Sequence, residues 1–159
     1  AHPAHLHRDM IQAYSEFKHV IPYIDMPVQH GSDRMLKLMR RGLKSDGIKK
    51  RIQALRDVNS EIAIRTSIIV GFPGETDDDF QQLMDMVEEV QFDRLGVFTY
   101  SEEEGTVAAA DMKDDISRHI KEERLDAIMT AQQSINLKKN QVSQLILLVI
   151  LGILKLVKF

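Results

Sequence analysis

Three short apolar runs, at residues 23–26, 62–70 and 95–100, alternate with amphipathic segments along the chain. The second run is rich in β-branched residues and almost entirely apolar after Arg65. Such a run is typical of a parallel strand that is covered on both faces. The pattern therefore predicts three strands connected by helices.

Helix signals lie between and after these runs. Ser32 begins a short helix, and Ser45 is a plausible N-cap of a second helix whose apolar residues recur at spacings of three and four. Thr76 is the predicted cap of a third helix, and three aspartates follow it, where the helix dipole favours negative charge. The spacing also predicts a long charged helix over residues 114–139. One face of that helix carries Ile116, Ile120, Ile128, Ala131 and Ile135.

The alternation of strands and helices predicts βαβ units with right-handed crossovers and a parallel sheet. The predicted fold class is α/β: a partial TIM-like barrel over residues 1–141, which ends in the long helix and is followed by an apolar tail. A partial barrel leaves an open sheet edge and exposed interior side chains. We therefore expect the chain to be part of a longer protein.

The tail at residues 142–159 differs in character from the rest of the chain. No polar side chain interrupts residues 145–154, but a membrane-spanning helix needs about 18 to 20 such residues. Three interpretations are open: a strand pair of a further small domain, an interfacial helix, or aberrant sequence from a truncated or shifted reading frame. We favour the third.

Composition narrows the function classes. The net charge is −3 with acidic and basic residues interleaved, which argues against a general nucleic-acid binder. The chain has no cysteine, so it forms no disulfide and offers no thiolate ligand or cysteine nucleophile. This composition and the lack of a signal-peptide pattern at the start indicate the cytoplasm, and we expect no membrane partner. Walker, nucleophile-elbow and zinc motifs are also absent.

Polar residues cluster where the predicted strands end, which is where parallel α/β folds bind ligands. Gly71 and Gly74 follow the second strand and would allow a ligand to approach the backbone closely. Glu75 could accept hydrogen bonds from a cationic or hydroxyl-bearing ligand. The candidate groups after the first and third strands are Asp25, Gln29, His30, Ser32, Thr99, Tyr100 and Ser101.

These features also have purely structural interpretations. The Gly-Phe-Pro-Gly sequence at residues 71–74, taken alone, is more often only a tight turn between a strand and a helix, and Ser32 is a typical helix cap. His30 by itself is more often a structural hydrogen-bonding residue than a catalyst. Histidines at positions 2, 5 and 7 have no accompanying carboxylate pattern, so we predict no metal site.

A basic surface follows the first strand. Such a surface is usually a solvated helix face, and contact with the ribosome or with RNA is the more specific alternative. Its residues are Arg34, Lys37, Arg40, Arg41 and Lys44.

Three segments, PYIDMPVQHGSDRMLKLMRRG, RTSIIVGFPGETDDDF and DRLGVFTYSEEEGTVAA, resemble the radical SAM methylthiotransferases in their order and spacing. The resemblance covers residues 1–141. Members of that family have an N-terminal domain with three cysteines, a radical SAM barrel and a small C-terminal TRAM domain. The resemblance implies that residues 1–141 form the C-terminal part of the barrel and that a TRAM domain would begin near residue 142.

Two branches of that family are distinguished by the motif after the first strand. Residues 25–30 read Asp-Met-Pro-Val-Gln-His, which resembles the branch that modifies a ribosomal protein (RimO-like). The tRNA-modifying branch (MiaB-like) usually reads His-Leu-Pro-x-Gln-Ser. The resemblance implies methylthiolation of the β-carbon of an aspartate on protein twelve of the small ribosomal subunit. A tRNA-directed methylthiotransferase and a non-catalytic binding module are the alternatives.

The same resemblance implies S-adenosylmethionine and [4Fe–4S] clusters as cofactors, with the cluster cysteines upstream of residue 1. Without those cysteines the chain would be inactive alone, and no catalytic residue is assigned. By resemblance, Gly71, Gly74 and Glu75 would lie near the adenine end of the cofactor, with the backbone of residues 98–100. The residues implied to surround its methionine and ribose portions are Gln29, His30, Ser32, Arg65 and Ser67.

Overall fold

The computed structural model describes residues 2–17 and 19–156, without the side chains of residue 143 and of residues 146–156. Its centre is a sheet of three parallel strands in the order β1 (Tyr23–Asp25), β2 (Ala63–Val70), β3 (Arg94–Thr99). The predicted parallel α/β fold is confirmed.

Helices precede and follow each strand of the sheet. A 3-10 turn at Pro3–His5 and helix α1 were not anticipated from the sequence. The α-helices are α1 (Arg8–Glu16), α2 (Asp33–Leu38), α3 (Ser45–Val58), α4 (Asp77–Val90), α5 (Val107–Asp111) and α6 (Arg118–Leu156).

Strand β2 is covered on one face only, so the prediction that both its faces are buried is wrong. Its even-numbered residues are fully buried and share one hydrophobic core with residues of α3, α4 and α6. Its odd-numbered residues are half-exposed, and on the neighbouring strand β3 the side chain of Phe98 is 56% exposed. The helices α3, α4 and α6 therefore cover one face of β2, and its other face is open.

Helix α3 begins one residue earlier than its signal suggested. Ser45 lies inside the first turn and does not cap it; Lys44 precedes the helix without a side-chain cap bond. The backbone N–H of Ser45 instead donates to Asp33 Oδ1 at 2.7 Å. A carboxylate from α2 thus satisfies one of the free donors at the start of α3.

Helix α6 differs from its predicted bounds at both ends. It begins at Arg118, four residues later than predicted, because Asp114 pairs with Lys121 and Asp115 accepts a hydrogen bond from Gly74 N–H at 2.9 Å. These two bonds hold the segment before the helix in a non-helical path. The predicted face is also wrong in part: Ile116 precedes the helix and Ile120 is 38% exposed. The buried positions are Lys121, Arg124, Ile128, Gln132 and Ile135.

Helix α6 continues through residue 142 to Leu156. A strand pair in this part of the tail is therefore excluded, while the last three residues lie outside the described part of the chain. The division of the chain at residue 142 stays a prediction. Among the described residues, no helix is both long and apolar enough to cross a membrane.

Candidate functional site

A cavity of about 880 Å³ opens at the carboxyl end of the sheet, between β2, α2 and α5. Its floor is apolar and includes Ile69 and Phe72, while several cationic side chains of α2 and the loop after it form one side. The lining residues used below are Gln29, Arg34, Lys37, Arg40, Ile69 and Phe72.

Gln29 reaches this cavity because the chain after β1 contains one extra residue. Four residue steps separate Asp25 from Gln29, whereas three separate their partners on β2, Arg65 and Ile68. Gln29 N–H donates to Ser67 O at 3.0 Å and Gln29 O accepts from Ile69 N–H at 2.9 Å. This bulge-like arrangement re-aims the backbone, and Gln29 adopts a φ of 74°.

Thr66 completes the bulge from inside the core. Its hydroxyl donates to Met26 O at 3.0 Å and accepts from Val28 N–H at 3.2 Å. Pro27 has no N–H, so the backbone ladder cannot continue through the bulge. The buried Thr66 hydroxyl replaces the missing ladder bonds.

Arg65 and Ser67 lie on the open face of β2, in line with Ile69 at the cavity floor. The Arg65 guanidinium pairs with Asp25 of β1, and both side chains are about two-fifths exposed, at 41% and 39%. The hydrogen bond from Gln29 N–H to Ser67 O makes these two residues neighbours. Their role toward a cofactor stays a prediction.

His30 and Ser32 lie behind the cavity, where both residues are buried. His30 Nδ1 accepts a hydrogen bond from Ser32 N–H at 3.0 Å. Ser32 caps α2 and its hydroxyl donates to Asp79 Oδ1 at 2.6 Å. Neither side chain lines the cavity in this structure.

Asp79 is the centre of a buried polar network that joins α2 to α4. Burial tends to raise the pKa of its carboxyl, but hydrogen bonds from Arg34, Ser32 and Thr76 outweigh burial and hold the pKa well below the usual range. Thr76 and Asp79 also form a reciprocal capping box at the start of α4, which confirms Thr76 as the helix cap.

Glu75 is 3% exposed and closes the turn after β2 from inside. Its Oε2 accepts hydrogen bonds from the backbone N–H groups of Gly71 and of Phe72, the latter at 3.1 Å. Its Oε1 lies 3.8 Å from His30 Nε2 and 3.4 Å from Arg124 Nη1. Glu75 therefore holds the shape of the turn in this structure rather than facing open space.

The two glycines of this turn differ in their surroundings. Gly71 has a φ of +70°, and a Cβ built on it would lie 2.3 Å from Lys121 Cγ. Gly74 has a φ of +77° with open space around it, and its carbonyl accepts from Arg34 Nη2 at 2.5 Å. Both positions need a left-handed backbone, which glycine adopts at low cost. Only Gly71 is closely covered, and a side chain of α6 covers it.

The histidines near the start have local roles. His2 Nδ1 accepts from Ala4 N–H at 3.2 Å, and the rings of His2 and His5 lie 5.0 Å apart. No group of three or more potential ligand side chains in the described part of the chain is placed to hold a metal ion.

Several residues that shape the site were not singled out from the sequence. Thr66 is the polar interruption of an apolar strand, and Lys121 and Arg124 interrupt the apolar face of α6; both signals are visible in the sequence. Gly31 gave no signal: a Cβ there would lie 2.7 Å from Leu83 Cα, so α4 packs directly on the backbone after the bulge.

This parallel sheet, with a cavity of apolar floor and cationic side at its carboxyl edge, has the arrangement of a barrel-type cofactor site. The chain belongs to the radical SAM superfamily, whose family model matches residues 2–87.

Curated relatives narrow the comparison to proteins named ribosomal protein uS12 methylthiotransferase RimO. The protein from Prosthecochloris aestuarii is 45% identical over 141 residues, which are 89% of this chain and 33% of that protein. The protein from Pseudothermotoga lettingae is 49% identical over 134 residues, or 84% of this chain and 31% of that protein. The chain thus spans about a third of the length of these relatives.

Among solved structures, coproporphyrinogen III oxidase (HemN) from Escherichia coli, a radical SAM enzyme, matches with a TM-score of 0.69. The match covers 84% of this chain and 31% of that one at 21% identity. At this identity the likeness supports the fold alone, and it agrees with the predicted partial barrel.

Proposed function

We propose that this chain supplies the cofactor-facing wall of a radical SAM methylthiotransferase whose substrate is an aspartate of small-subunit ribosomal protein twelve. The cavity at the carboxyl edge of the sheet is the observation that carries the proposal, since it lies where the RimO-like motif 25–30 meets β2. The identity of 45–49% to proteins named RimO supports the same activity for the whole enzyme. We place that enzyme in the cytoplasm.

The cavity fits S-adenosylmethionine in size and chemistry. Its volume of about 880 Å³ lies within the usual range for small-molecule sites, about 300 to 1,000 Å³. The apolar floor at Ile69 and Phe72 suits a nucleoside base, and the cations beside it suit the methionyl carboxylate. Gln29 is positioned to hydrogen-bond the polar portion of the ligand, with Ser67 and Arg65 further along the open face.

The predicted site residues fall into two groups with different roles in this proposal. Gln29, Ser67 and Arg65 face open space and would contact the ligand directly. The remaining residues act through others: they hold the bulge, the start of α2 and the turn after β2 in place. These are His30, Ser32, Gly71, Gly74 and Glu75.

An iron–sulfur cluster does not fit this chain, because cluster iron is held by cysteine thiolates and the chain has no cysteine. The cluster ligands of the proposed enzyme must come from outside these 159 residues. The cofactor, with a cluster held outside this chain, would supply the radical chemistry of the reaction. This chain's contribution is to bind, orient and shield the cofactor.

The second part of the proposal is contact with the ribosome or with RNA. This contact would be made by the basic surface, whose members Arg34, Lys37, Arg40 and Arg41 also line the cavity. Lys37 and Arg40 are exposed, and no salt bridge to either is found among the described residues. Arg34 is bonded to Asp79, and Arg41 donates to Pro27 O at 2.7 Å. Lys37 and Arg40 are therefore the free cations that a phosphate backbone would meet first.

The test uses the full reading frame that contains this chain, expressed without oxygen. We expect an iron–sulfur absorbance band, cleavage of S-adenosylmethionine, and a methylthio mass increment on an aspartate of ribosomal protein twelve. A Gln29→Ala variant should bind the cofactor more weakly, whereas Lys50→Ala, an exposed residue of α3 paired with Asp46, should not. Modification of tRNA in place of the ribosomal protein would support the tRNA-directed alternative. Loss of all three signals would support a binding module.

A further inference from the structure

Helix α6 buries two cations against the sheet. Lys121 is 7% exposed and Arg124 is 6% exposed, and their spacing of three places them on one face of the helix. Burying a charged group is costly unless it is paired and hydrogen-bonded. Apolar residues would serve ordinary helix packing at these positions, so the contacts of the two cations need an explanation.

Arg124 holds the turn after β2 from outside. Its Nη1 donates to Glu75 O at 3.3 Å and lies 3.4 Å from Glu75 Oε1, while its Nη2 donates to Asp77 Oδ1 at 2.7 Å. The guanidinium also lies 5.4 Å from the centre of the Phe80 ring. Since Glu75 in turn binds the N–H groups of residues 71 and 72, Arg124 fixes the carboxylate that closes the turn.

Lys121 connects that turn to the loop after β3. Its Nζ donates to Tyr100 O at 3.1 Å and pairs with Asp114, while its stem lies over Gly71. Tyr100 N–H donates to Val70 O at 2.8 Å. One side chain of α6 therefore contacts the segments that follow two neighbouring strands.

These contacts end at the wall of the cavity. The backbone N–H of Phe72 is one of the two groups that Glu75 binds, and Phe72 also lines the cavity. Its ring meets the Tyr100 ring edge-on, with centres 5.1 Å apart at 70°. The position of Phe72 thus depends on Glu75 and Tyr100, and both are held by α6.

We propose that Arg124 and Lys121 are positioning residues, which hold the turn at residues 71–75 and the Phe72 ring in the shape that an S-adenosyl ligand requires. The inference rests on the proposed function, because it assigns that ligand to the cavity. The inference adds that helix α6, which lies outside the cavity, determines the affinity of the cavity for that ligand. Neither cation touches the ligand.

The test measures two properties of the 159-residue chain: amide hydrogen exchange at residues 71, 72, 74 and 75, and binding of S-adenosylhomocysteine by calorimetry. The variants are Arg124→Met, Arg124→Lys and Lys121→Met. Arg118→Met is the matched control, because Arg118 lies on the same helix with its side chain 91% exposed and paired with Glu122. Amides of α3 report on the stability of the core.

We expect Arg124→Met and Lys121→Met to speed exchange at residues 71 and 72 roughly tenfold, the factor that corresponds to losing about 1.4 kcal/mol. Ligand affinity should fall by a similar factor, while exchange in α3 and all properties of Arg118→Met stay unchanged. Arg124→Lys should retain part of the protection because it keeps the charge but loses the planar fork. Arg124→Lys keeps a positive charge at the buried position, so it separates the loss of the guanidinium shape from the loss of the charge.

Three results would overturn the inference. One is unchanged exchange at residues 71 and 72 in both methionine variants. Another is an equal rise in exchange in α3, which would indicate a general loss of stability. The third is wild-type affinity in variants whose turn exchanges faster; in that case the proposed function stands and only the positioning role fails. If the unaltered chain and its full-length parent both fail to bind S-adenosylhomocysteine, the proposed function itself fails.

Discussion

Ser32 Oγ donates a hydrogen bond to Asp79 Oδ1 at 2.6 Å, and this bond joins the first turn of α2 to the first turn of α4. Arg34 Nε donates to the same oxygen at 3.2 Å from the solvent side. At the start of α4, Thr76 N–H and Oγ1 donate to Asp79 Oδ2 at 2.9 and 2.6 Å, so the carboxylate accepts hydrogen bonds from the starts of both helices. It holds the loop after β1 against the turn after β2, which are the two segments that border the cavity.

Replacing Asp79 by Asn should destabilise the chain. The variant keeps the side-chain size but removes the charge that accepts from Ser32, Arg34 and Thr76, so we expect a loss of about 2–3 kcal/mol in the free energy of unfolding. Urea denaturation measures it. The control is Asp78→Asn, at an exposed position in the same helical turn. Equal stability of the two variants would contradict the role of Asp79.

The low pKa of the Asp79 carboxyl predicts how stability depends on pH. Because the pKa is lower in the folded state than in the unfolded state, where it is about 3.9, folding is favoured by ionisation above that value. The contribution is complete at neutral pH and is lost as the pH falls below about 4 toward the folded pKa. The difference in melting temperature between the wild type and Asp79→Asn should therefore narrow on acidification. A constant difference from pH 7 to pH 3 would contradict the assignment.

Gly31→Ala should destabilise the packing of α4. The added Cβ would lie 2.7 Å from Leu83 Cα and 2.8 Å from Gln82 O, both of which are backbone atoms that cannot move aside singly. We expect a loss of about 1–3 kcal/mol, measured by thermal or urea unfolding. Gly47→Ala is the control, since Gly47 lies inside α3 and the atoms nearest to its added Cβ belong to the flexible side chain of Leu43. That variant should be neutral or slightly stabilising.

Thr66→Val should weaken the bulge after β1. Valine has nearly the same shape but leaves Met26 O and Val28 N–H without their side-chain partner in a fully buried place. We expect a loss of about 1–3 kcal/mol in the free energy of unfolding. Thr66→Ser keeps the hydroxyl and should cost less. If valine were better tolerated than serine, volume rather than hydrogen bonding would explain Thr66.

Charge reversal at Lys37 and Arg40 should weaken binding to the ribosome if the basic side contacts RNA. The expected signature is a smaller slope of log affinity against log salt in sedimentation or filter-binding assays. Binding that makes fewer phosphate contacts releases fewer counterions, and the number released determines the slope. Lys50→Glu is the control on a different surface. An unchanged salt slope would contradict the RNA contact.

Local sequence signals were sufficient to predict the elements whose bounds depend on residues close by in the chain. The strand at residues 62–70 was found to within one residue, and Thr76 with the aspartates after it marked the start of α4 correctly. Period-two and helical spacing, and capping side chains, act within a few residues of the chain. Such signals can be read without knowledge of the neighbours.

Long-range contacts decided the rest. The start of α6 depends on Asp115 meeting Gly74, and the start of α3 depends on Asp33, a residue of another helix. The open face of β2 could not be predicted from its apolar run, because the residue type is isoleucine both at buried and at partly exposed positions of the strand.

By itself the sequence determined the α/β class, the parallel order of strands and the resemblance that pointed to the radical SAM superfamily. Only the tertiary structure divided the predicted site into residues that face the cavity, such as Gln29, and residues that hold it from behind, such as His30 and Glu75. It also placed Lys121 and Arg124 of α6, which lie more than 45 residues beyond Glu75 in the chain, against the turn they support. The physical reason is that the burial and pairing of a charged side chain depend on its tertiary neighbours. Here those neighbours are distant in the chain.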